Sequence, residues 1–322
     1  MIAGGLEIDP ELAADLAALR HGAAAVKRHA DLLWLEGPDR LRLLQGLVTA
    51  DVKSLAPGAA ASGFFTTGQG RILADFHLLA LAESCWLVLP AGSGETIRTH
   101  LEKYKVASRV EILEVTDRRL FELRGPRAGE VATAATELLS AEVDRGTLPG
   151  DSGVVFLLPR TFSSGELLTQ RLRAGDSSGL RNVSAEAVEI ARIEDGELVF
   201  GVDFSGENFP QETGRDNAIS YTKGCYLGQE VVARIHYRGG VQRQPRGLRF
   251  EAGGLPAAGA ELLLDGRAVG RATSVTRSPR FGAIGLGLLH QRGATPGTRL
   301  EVAGGAGSRE AEVVELPFRL PE

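Results

Sequence analysis

The run KGCYLGQEVVAR, which begins at Lys223, contains the residues of this chain best suited to chemistry. Cys225 is one of only two cysteines, and Gly224 and Gly228 bracket it just before a stretch of good helix formers that begins at Gln229. This pattern predicts a tight turn that places the thiol at the start of a helix. The partial positive charge of the helix N-terminus, together with the nearby Lys223, would favour the thiolate over the thiol. Such a thiol suits a nucleophile, a redox centre or a metal ligand. The alternative is a small apolar residue packed under a turn, because free cysteine is often buried and inert.

The segment Lys-Gly-Cys-Tyr-x-Gly-Gln-Glu resembles the signature of the YgfZ family. These are folate-binding proteins related to the glycine-cleavage T-protein, an aminomethyltransferase, and they are implicated in iron–sulfur cluster assembly or repair. In the T-protein the corresponding stretch usually reads Lys-x-Asp-Phe-Ile-Gly, so Cys225 stands where that enzyme has a carboxylate. This exchange argues against simple aminomethyl transfer. The resemblance implies tetrahydrofolate, or a one-carbon derivative of it, as the cofactor, with Lys223 and Tyr226 of the motif as candidate contacts.

Asp75 interrupts an otherwise apolar strand in the segment Gly70-Arg71-Ile72-Leu73-Ala74-Asp75-Phe76. An acid on such a strand must face solvent or line a cavity, and alternation alone allows an ordinary exposed residue. The segment resembles Gly-x-Ile-x-Asp-Asp of the T-protein, whose second aspartate lies near the folate N5. The resemblance implies a folate-facing and catalytic role for Asp75, while Ala74 replaces the first aspartate.

A second group of candidates follows in the run Arg192-Ile193-Glu194-x-Gly196. This run, continued by Gly201-x-Asp203 and Pro210-Gln211-Glu212, is similar to the T-protein pattern Arg-Leu-Glu-x-Gly, Gly-x-Asp and Pro-x-Glu. Arg192 and Glu194 are therefore candidate cofactor-binding residues. A helix that ends at Gly196 with an opposed Arg-Glu pair is also a plain structural arrangement. The folate-clasping Gly-Tyr-x-Gly-Glu segment of the T-protein is only partly echoed, at residues 161–166.

Basic residues concentrate between Lys223 and Arg249, where six cations accompany the single acid Glu230. The six are Lys223, Arg234, Arg238, Arg243, Arg246 and Arg249. A local positive field beside the thiol would attract an anionic ligand such as a folate glutamate tail, a phosphate or RNA. The alternative is a solvated linker between two domains.

Composition limits the class of protein. A formal charge of -5 over 322 residues predicts no general nucleic-acid binding and no attraction to an anionic membrane. Cys85 and Cys225 lie too far apart in sequence for a ligand-spaced pair, so neither a structural zinc site nor a disulfide scaffold is indicated. Cys85, inside an apolar strand, is predicted to be core. No signal sequence or membrane span is apparent, and we expect a cytoplasmic protein that acts as a monomer.

The elements that must position these residues begin with a helix predicted over residues 9–25. Strands at 32–35, 61–66, 71–81, 85–90 and 110–115, with helices after residue 37 and over 94–103, predict a β-α-β-β-α-β order with one further strand. That order is typical of a ferredoxin-like split βαβ unit. The corner Leu35-Glu36-Gly37-Pro38 is echoed 88 residues later by Leu123-Arg124-Gly125-Pro126. A strand at 154–158 and a helix at 165–173 then favour a second, related lobe.

From residue 246 the pattern changes to short strand-length runs punctuated by Gly and Pro, at 248–250, 261–264, 268–276, 284–289, 299–302 and 311–315. These runs predict a small all-β barrel, and they resemble the C-terminal barrel of the T-protein superfamily. The predicted α+β fold thus has a first ferredoxin-like lobe at 1–116, a second at 117–244 carrying KGCYLGQE, and a barrel at 245–322.

The resemblance implies that these three lobes surround a folate cleft. The function expected from it is a folate-binding protein that assists iron–sulfur cluster assembly or repair, including the clusters of tRNA-modifying enzymes, through the Cys225 thiol. Its partners would be folate and iron–sulfur enzymes or assembly proteins. One thiol cannot hold a cluster, which needs about four ligands, so transient iron–sulfur contact is expected. The alternative is a folate-dependent aminomethyl or one-carbon transferase.

Overall fold

The computed structural model describes residues 8–138, 144–147, 153–159, 180–251, 254–304 and 310–320. Its helices are α1 (Pro10–His21), α2 (Arg40–Gln45), α3 (Gly94–Tyr104), α4 (Ala128–Leu138), α5 (Ala185–Asp195) and α6 (Gln229–Arg238). In this part of the chain no helix is both long enough and apolar enough to span a membrane. The predicted helix at 165–173 and the partial echo at 161–166 lie outside the described residues.

The first sheet contains the strand that bears Asp75. Its strands are β2 (Ala30–Glu36), β3 (Ala60–Thr66), β4 (Ile72–Ala80), β5 (Ser84–Pro90) and β6 (Glu111–Glu114). They lie in the order β3-β4-β5-β2-β6, with every neighbouring pair antiparallel. With helices α2 and α3 this is the predicted ferredoxin-like arrangement, to which β3 adds a fifth strand at the edge.

The second sheet repeats that arrangement with one strand inserted. Its strands are β1 (Ala23–Lys27), β7 (Arg118–Arg124), β8 (Asp144–Thr147), β9 (Val154–Pro159) and β10 (Leu180–Asn182). The order is β10-β1-β7-β9-β8, so β1 separates β10 from β7. The prediction of helix over residues 9–25 is wrong at its end, because Ala23, Ala24 and Ala25 pair with β10 and, from Ala24 onward, with β7. Sheet pairing there outweighs the helix propensity of alanine.

Two hydrophobic layers support the first sheet. One face packs against α2 and α3 in a core that includes Leu44, Phe65, Phe76 and Ile97. The other face packs against the second sheet through a cluster that includes Leu79 and Trp86. Because side chains alternate along β4, Asp75 lies on the same face as Leu79 and opposite Ala74 and Phe76.

The echo detected in the sequence corresponds to the same corner in both sheets. Gly37 follows β2 with a φ of 122°, and Gly125 follows β7 with a φ of 100°. A Cβ at Gly37 would come within 2.3 Å of the Arg109 carbonyl oxygen, and one at Gly125 within 2.6 Å of the Gly22 carbonyl oxygen. Glycine is therefore required at both corners by conformation and by space.

The C-terminal strands close into a six-stranded barrel in the order β11-β14-β13-β12-β15-β16. These are β11 (Arg243–Phe250), β12 (Glu261–Leu264), β13 (Arg267–Ser278), β14 (Gly282–His290), β15 (Arg299–Val302) and β16 (Glu310–Val314). All six predicted runs are strands, and the predicted α+β class with a C-terminal barrel is confirmed.

The chain forms two compact units, each built from separate segments. One consists of Glu11–Ser184 and Asn217–Gln229, and contains both sheets together with Cys225. The other consists mainly of Ala185–Asp216 and Glu230–Glu322, and contains α5, most of α6 and the barrel. The predicted boundary at residue 116 separates the strands of the two sheets with one exception. Strand β1 precedes the first sheet in the chain but pairs with β7 in the second sheet.

Candidate functional site

Cys225 is exposed, and it lies in an irregular segment between two buried residues, Lys223 and Tyr226. The alternative of a thiol packed under a turn is therefore wrong for this cysteine. Helix α6 begins at Gln229, as predicted, but four residues after the thiol. The thiol thus precedes the first turn of the helix instead of lying in it.

Lys223 fastens this segment to the first sheet's lobe. Its Nζ donates hydrogen bonds to the carbonyl oxygens of Val48, at 2.7 Å, and Ala50, at 2.6 Å. Nζ also lies 5.1 Å from the centroid of the Tyr226 ring, within cation–π range. Burial lowers the pKa of the Lys223 ammonium to about 8, against an opposing effect of the Asp51 carboxylate. Lys223 is thus a buried cation held by two carbonyl oxygens and a ring, and its expected effect on the thiol stays a prediction.

Thr49 makes a further attachment that the sequence did not indicate. Its hydroxyl donates to the Ala218 carbonyl oxygen at 2.7 Å and accepts from the Phe64 amide at 2.9 Å. Its carbonyl oxygen accepts from the Ser220 amide at 2.9 Å. Thr49 therefore joins the chain before the motif to strand β3. Thr49 lies in the connection between α2 and β3, where a single threonine carries no local signal of these contacts.

A third attachment lies just after the thiol. The Leu227 amide donates to the Gly46 carbonyl oxygen at 3.0 Å, and its carbonyl oxygen accepts from the Thr66 hydroxyl at 2.6 Å. Gly228 has a φ of 84°, and a Cβ there would come within 2.4 Å of the Thr67 carbonyl oxygen. Cys225 is thus exposed on a short span fixed at both ends, with Lys223 two residues before it and Leu227 two residues after.

Asp75 lies in the same unit as Cys225 and is half-buried on β4. Its cross-strand partner is Phe64, the residue whose amide binds Thr49. Ile72, the cross-strand partner of Thr66, precedes Asp75 by three residues on β4. Along an extended strand this spacing puts Asp75 about 10 Å from Ile72. The strand that carries Asp75 therefore belongs to the same hairpin that anchors Leu227.

Tyr226 carries an unusual hydroxyl. The residue is 7% exposed, and its hydroxyl oxygen is buried without a hydrogen-bond partner among the described residues. Burial raises the pKa of this phenol, and the neighbouring Tyr221 adds to the effect. A buried hydroxyl without a hydrogen-bond partner destabilises the folded protein, and a ligand that supplies the partner would remove this cost.

Arg192 and Glu194 lie in the other unit, on α5. All five N–H groups of Arg192 have partners in that unit: the Glu189 carboxylate, the Glu197 carbonyl, the Asp203 carboxylate and the Ser274 hydroxyl. The Glu194 carboxylate accepts from the Ser278 hydroxyl at 2.5 Å. Both residues hold α5 to strand β13, and their cofactor-binding roles stay a prediction, which these contacts do not favour for Arg192.

The predicted group of six cations divides in two. Lys223 is buried, while Arg246 donates to the Ala294 carbonyl oxygen at 2.7 Å and Arg249 to the Arg319 carbonyl oxygen at 3.0 Å. The exposed members are Arg234, Arg238 and Arg243. These three lie on α6 and at the start of β11.

This chain is similar to known proteins both in single domains and along most of its length. Residues 8–149 match the GCVT N-terminal domain, and residues 243–319 match the glycine cleavage T-protein C-terminal barrel domain. The chain is 32% identical over 242 residues to the tRNA-modifying protein YgfZ of Yersinia pseudotuberculosis, with 72% of each chain covered. It is 28% identical over 310 residues to an aminomethyltransferase of Symbiobacterium thermophilum, covering 88% of this chain and 82% of that one.

Among solved structures, the glycine cleavage system aminomethyltransferase T from Bartonella henselae superposes with a TM-score of 0.82. The superposition covers 96% of this chain and 89% of the other at 22% sequence identity. This likeness shows that the two chains share a fold, including the two lobes and the barrel.

Proposed function

The chain belongs to the glycine cleavage T-protein family, and from that premise we propose that it binds a tetrahydrofolate and assists iron–sulfur cluster assembly or repair through Cys225. The clients would include iron–sulfur enzymes that modify tRNA. The relative with the higher identity of the two described above is named a tRNA-modifying protein, and this chain has the cysteine motif expected of such a relative.

The observation that carries the proposal is the exposed thiol of Cys225 on a span fixed at both ends. A structural cysteine would be buried, as Cys85 is. A thiol held in place and open to solvent can meet a protein-bound iron without a prior rearrangement. Because a cluster needs about four ligands, Cys225 would act as a temporary ligand while the client supplies the others.

The folate part of the proposal rests on the residues around the motif. The buried Tyr226 hydroxyl lacks a partner, and a pterin ring offers the acceptors and donors that would satisfy it. Asp75 supplies a half-buried carboxylate in the same unit, as required for binding the amino groups of a pteridine. Lys223 would orient the Tyr226 ring through its cation–π contact.

The test is rescue of a strain that lacks this gene, with the activity of an iron–sulfur enzyme that modifies tRNA as the readout. We expect the wild type to restore that activity and Cys225→Ala to fail. Cys85→Ala is the matched control, since it removes the other thiol from a buried position and should restore activity. Full rescue by Cys225→Ser would eliminate thiol chemistry and leave a folate-binding scaffold.

A second function, a folate-dependent one-carbon or aminomethyl transferase, is favoured by the half-buried Asp75 and by the match to aminomethyltransferases along most of the chain. It predicts exchange of formaldehyde equivalents with tetrahydrofolate by the purified protein. That exchange would be lost in Asp75→Asn and unaffected in Cys225→Ala. The proposed helper function predicts no exchange and dependence on Cys225 instead.

A further inference from the structure

Two segments of this acidic chain contain no acid. Residues 231–250 carry five arginines, and residues 266–300 carry six, with neither Asp nor Glu in either segment. Together they contribute +11 to a chain whose net charge is -5, so the remaining residues carry -16. A separation of charge of this size creates a local positive field despite the acidic average.

The fold brings the two segments together. The first contains all but the first two residues of α6 and the whole of β11, and the second contains β13 and β14, which lie beside β11 in the order β11-β14-β13. Arg243, at the start of β11, is the cross-strand partner of His290 at the end of β14. The Gln291 amide donates to the Gln242 carbonyl oxygen at 3.0 Å, which holds the chain after β14 against the connection from α6.

The arginines at this end of the barrel have free guanidinium groups. Arg234, Arg238, Arg243 and Arg292 are exposed, and none of these four side chains has an ion pair or hydrogen bond with a described residue. The acid nearest to Arg234 in sequence, Glu230, precedes it by one helical turn without pairing with it. Some other arginines of the barrel do have partners, such as Arg299, which pairs with Glu251 at 2.9 Å.

An aromatic side chain lies among these cations. Tyr237 is 69% exposed, and its ring contacts the His236 ring edge-on at 4.8 Å between centroids. We call Arg234, Tyr237, Arg238, Arg243 and Arg292 the arginine surface. Tyr237 supplies the exposed aromatic ring of the arginine surface.

We propose that the arginine surface binds the phosphate backbone of single-stranded RNA and that Tyr237 stacks on an unpaired base. Free guanidinium groups bind phosphate in a bidentate manner, and an exposed tyrosine is a typical stacking platform for bases. A protein partner is less suited, because protein interfaces have a fully buried apolar centre, whereas nucleic-acid interfaces are polar and strongly cationic. The proposal is independent of folate binding and of Cys225, and it modifies the expectation of no general nucleic-acid binding by placing RNA at one local surface.

The test is fluorescence anisotropy of the full-length protein with a labelled 20-nucleotide oligouridylate, from 50 to 200 mM salt. We expect a Kd of about 1–100 µM near 100 mM salt, with a logarithmic salt slope set by the number of phosphates bound. The triple variant Arg234→Gln, Arg238→Gln and Arg243→Gln should weaken binding at least about 10-fold and reduce the slope by about 2. Tyr237→Ala should weaken it by about 5-fold or more through lost stacking.

The matched control is the triple variant Arg42→Gln, Arg98→Gln and Arg127→Gln. Arg42 lies on α2, Arg98 on α3 and Arg127 just before α4. They form ion pairs with Asp39, Glu95 and Glu130, and their removal changes the net charge equally. The control should bind within about 2-fold of wild type, because its arginines are already in ion pairs and do not belong to the arginine surface. Thermal melting of each variant checks folding, and the single substitutions Arg238→Gln and Arg243→Gln replace the triple variant if it unfolds.

Three results would overturn the proposal. The first is no binding of the oligouridylate by the wild type below about 1 mM at 100 mM salt, since non-specific nucleic-acid binding is typically tighter. The second is an equal loss of binding in both triple variants, which would show an effect of net charge alone. The third is equally tight binding of a polyglutamate peptide together with no effect of Tyr237→Ala, which would indicate an acidic peptide as the ligand.

Discussion

The two cysteines of this chain lie in opposite environments. Cys225 is exposed on a fixed span, whereas Cys85 is completely buried in the first sheet. Burial raises the pKa of the Cys85 thiol to about 12, against a weaker opposing effect of the Arg40 guanidinium. Reactivity toward oxidants, metals and alkylating reagents should therefore be confined to Cys225 in the native protein.

Thiol counting tests this difference. With a disulfide reagent at pH 8, we expect one thiol per chain to react rapidly in the native protein and two in urea. The Cys225→Ser variant should show no rapid thiol, because only Cys85 remains. Rapid reaction of two thiols in the folded wild type would contradict the burial of Cys85.

Lys223 is the buried cation of the motif, and its titration should appear in the stability of the protein. Its folded pKa of about 8 lies below its unfolded value near 10.5, so between these pH values the unfolded state binds more protons. Stability from this group must therefore rise with pH across that window, by up to about 1.4 kcal/mol per pH unit.

The measurement is the free energy of unfolding by urea from pH 7 to pH 10, in the wild type and in Lys223→Met. At pH 7 we expect the variant to be less stable by about 2 kcal/mol, because the Val48 and Ala50 carbonyl oxygens lose a donor. The difference between the two proteins should widen as the pH rises from 8 to 10. A difference that stays constant would mean that Lys223 does not titrate in this range.

At the scale of elements, residues Asn217–Gln229 form a segment, here called the strap, that is hydrogen-bonded to the first sheet's lobe at Thr49 and at Thr66 of the β3–β4 hairpin. Gly228 packs on the turn at residues 67–70, with a positive φ that an L side chain adopts at a cost. Gly224, on the other side of Cys225, has open space around its Cα. The two glycines of the motif therefore have different roles, which their sequence context does not reveal.

Gly228→Ala should lower the free energy of unfolding by about 3 kcal/mol, through strain and the clash with the Thr67 carbonyl oxygen. Gly224→Ala is the matched control and should remain within about 1 kcal/mol of wild type. Urea denaturation measures both, and the alkylation rate of Cys225 reports any displacement of the thiol. Equal stability of the two variants would contradict a role for Gly228 in seating the strap.

Secondary-structure elements whose sequence pattern lies within the element itself were predicted well. The barrel strands were predicted because alternation and Gly-Pro punctuation are local features, and the start of α6 at Gln229 because glycine precedes good helix formers. Strand β1 was missed because Ala23–Ala25 favour helix by propensity, and only pairing with distant β7 and β10 makes them a strand.

The site was less predictable than the fold for the same physical reason. The burial of Cys85 was predicted from its apolar strand, whereas the glycines around Cys225 left a packed thiol open as the alternative. The partners of Lys223 could not be predicted, because they are backbone carbonyls 173 and 175 residues away that look alike at every position of a sequence. Thr49 and Thr66 were missed for that reason, since each binds a backbone group of the strap.

At the scale of the whole molecule, each compact unit is assembled from segments that are distant in the chain. In the barrel unit, the buried Arg192 and Asp203 form an ion pair at 3.0 Å, with side chains 7% and 0% exposed. Ser274 of β13 binds both members of the pair. This network ties α5 and the loop after it to the barrel.

Removal of one member should leave the other charge buried without compensation. We expect Arg192→Met and Asp203→Asn each to lower the free energy of unfolding by about 3 kcal/mol or more. The double variant should lose less than the sum, with a coupling energy of about 1–3 kcal/mol in a double-mutant cycle. Folate titration of Arg192→Met, at a temperature where the variant is folded, separates this structural role from cofactor binding. A large loss of folate affinity would support Arg192 as a cofactor-binding residue.

The strap at Asn217–Gln229 has a consequence for biosynthesis. It belongs to the unit begun by Glu11–Ser184, although the intervening residues belong to the barrel unit. On the ribosome the two sheets are translated first. The hydroxyls of Thr49 and Thr66 can donate to the Ala218 and Leu227 carbonyl oxygens only after that later segment has emerged. Closure of the first-made unit is thus timed by synthesis of the motif itself, and the thiol becomes fixed in the same event that completes the fold around it.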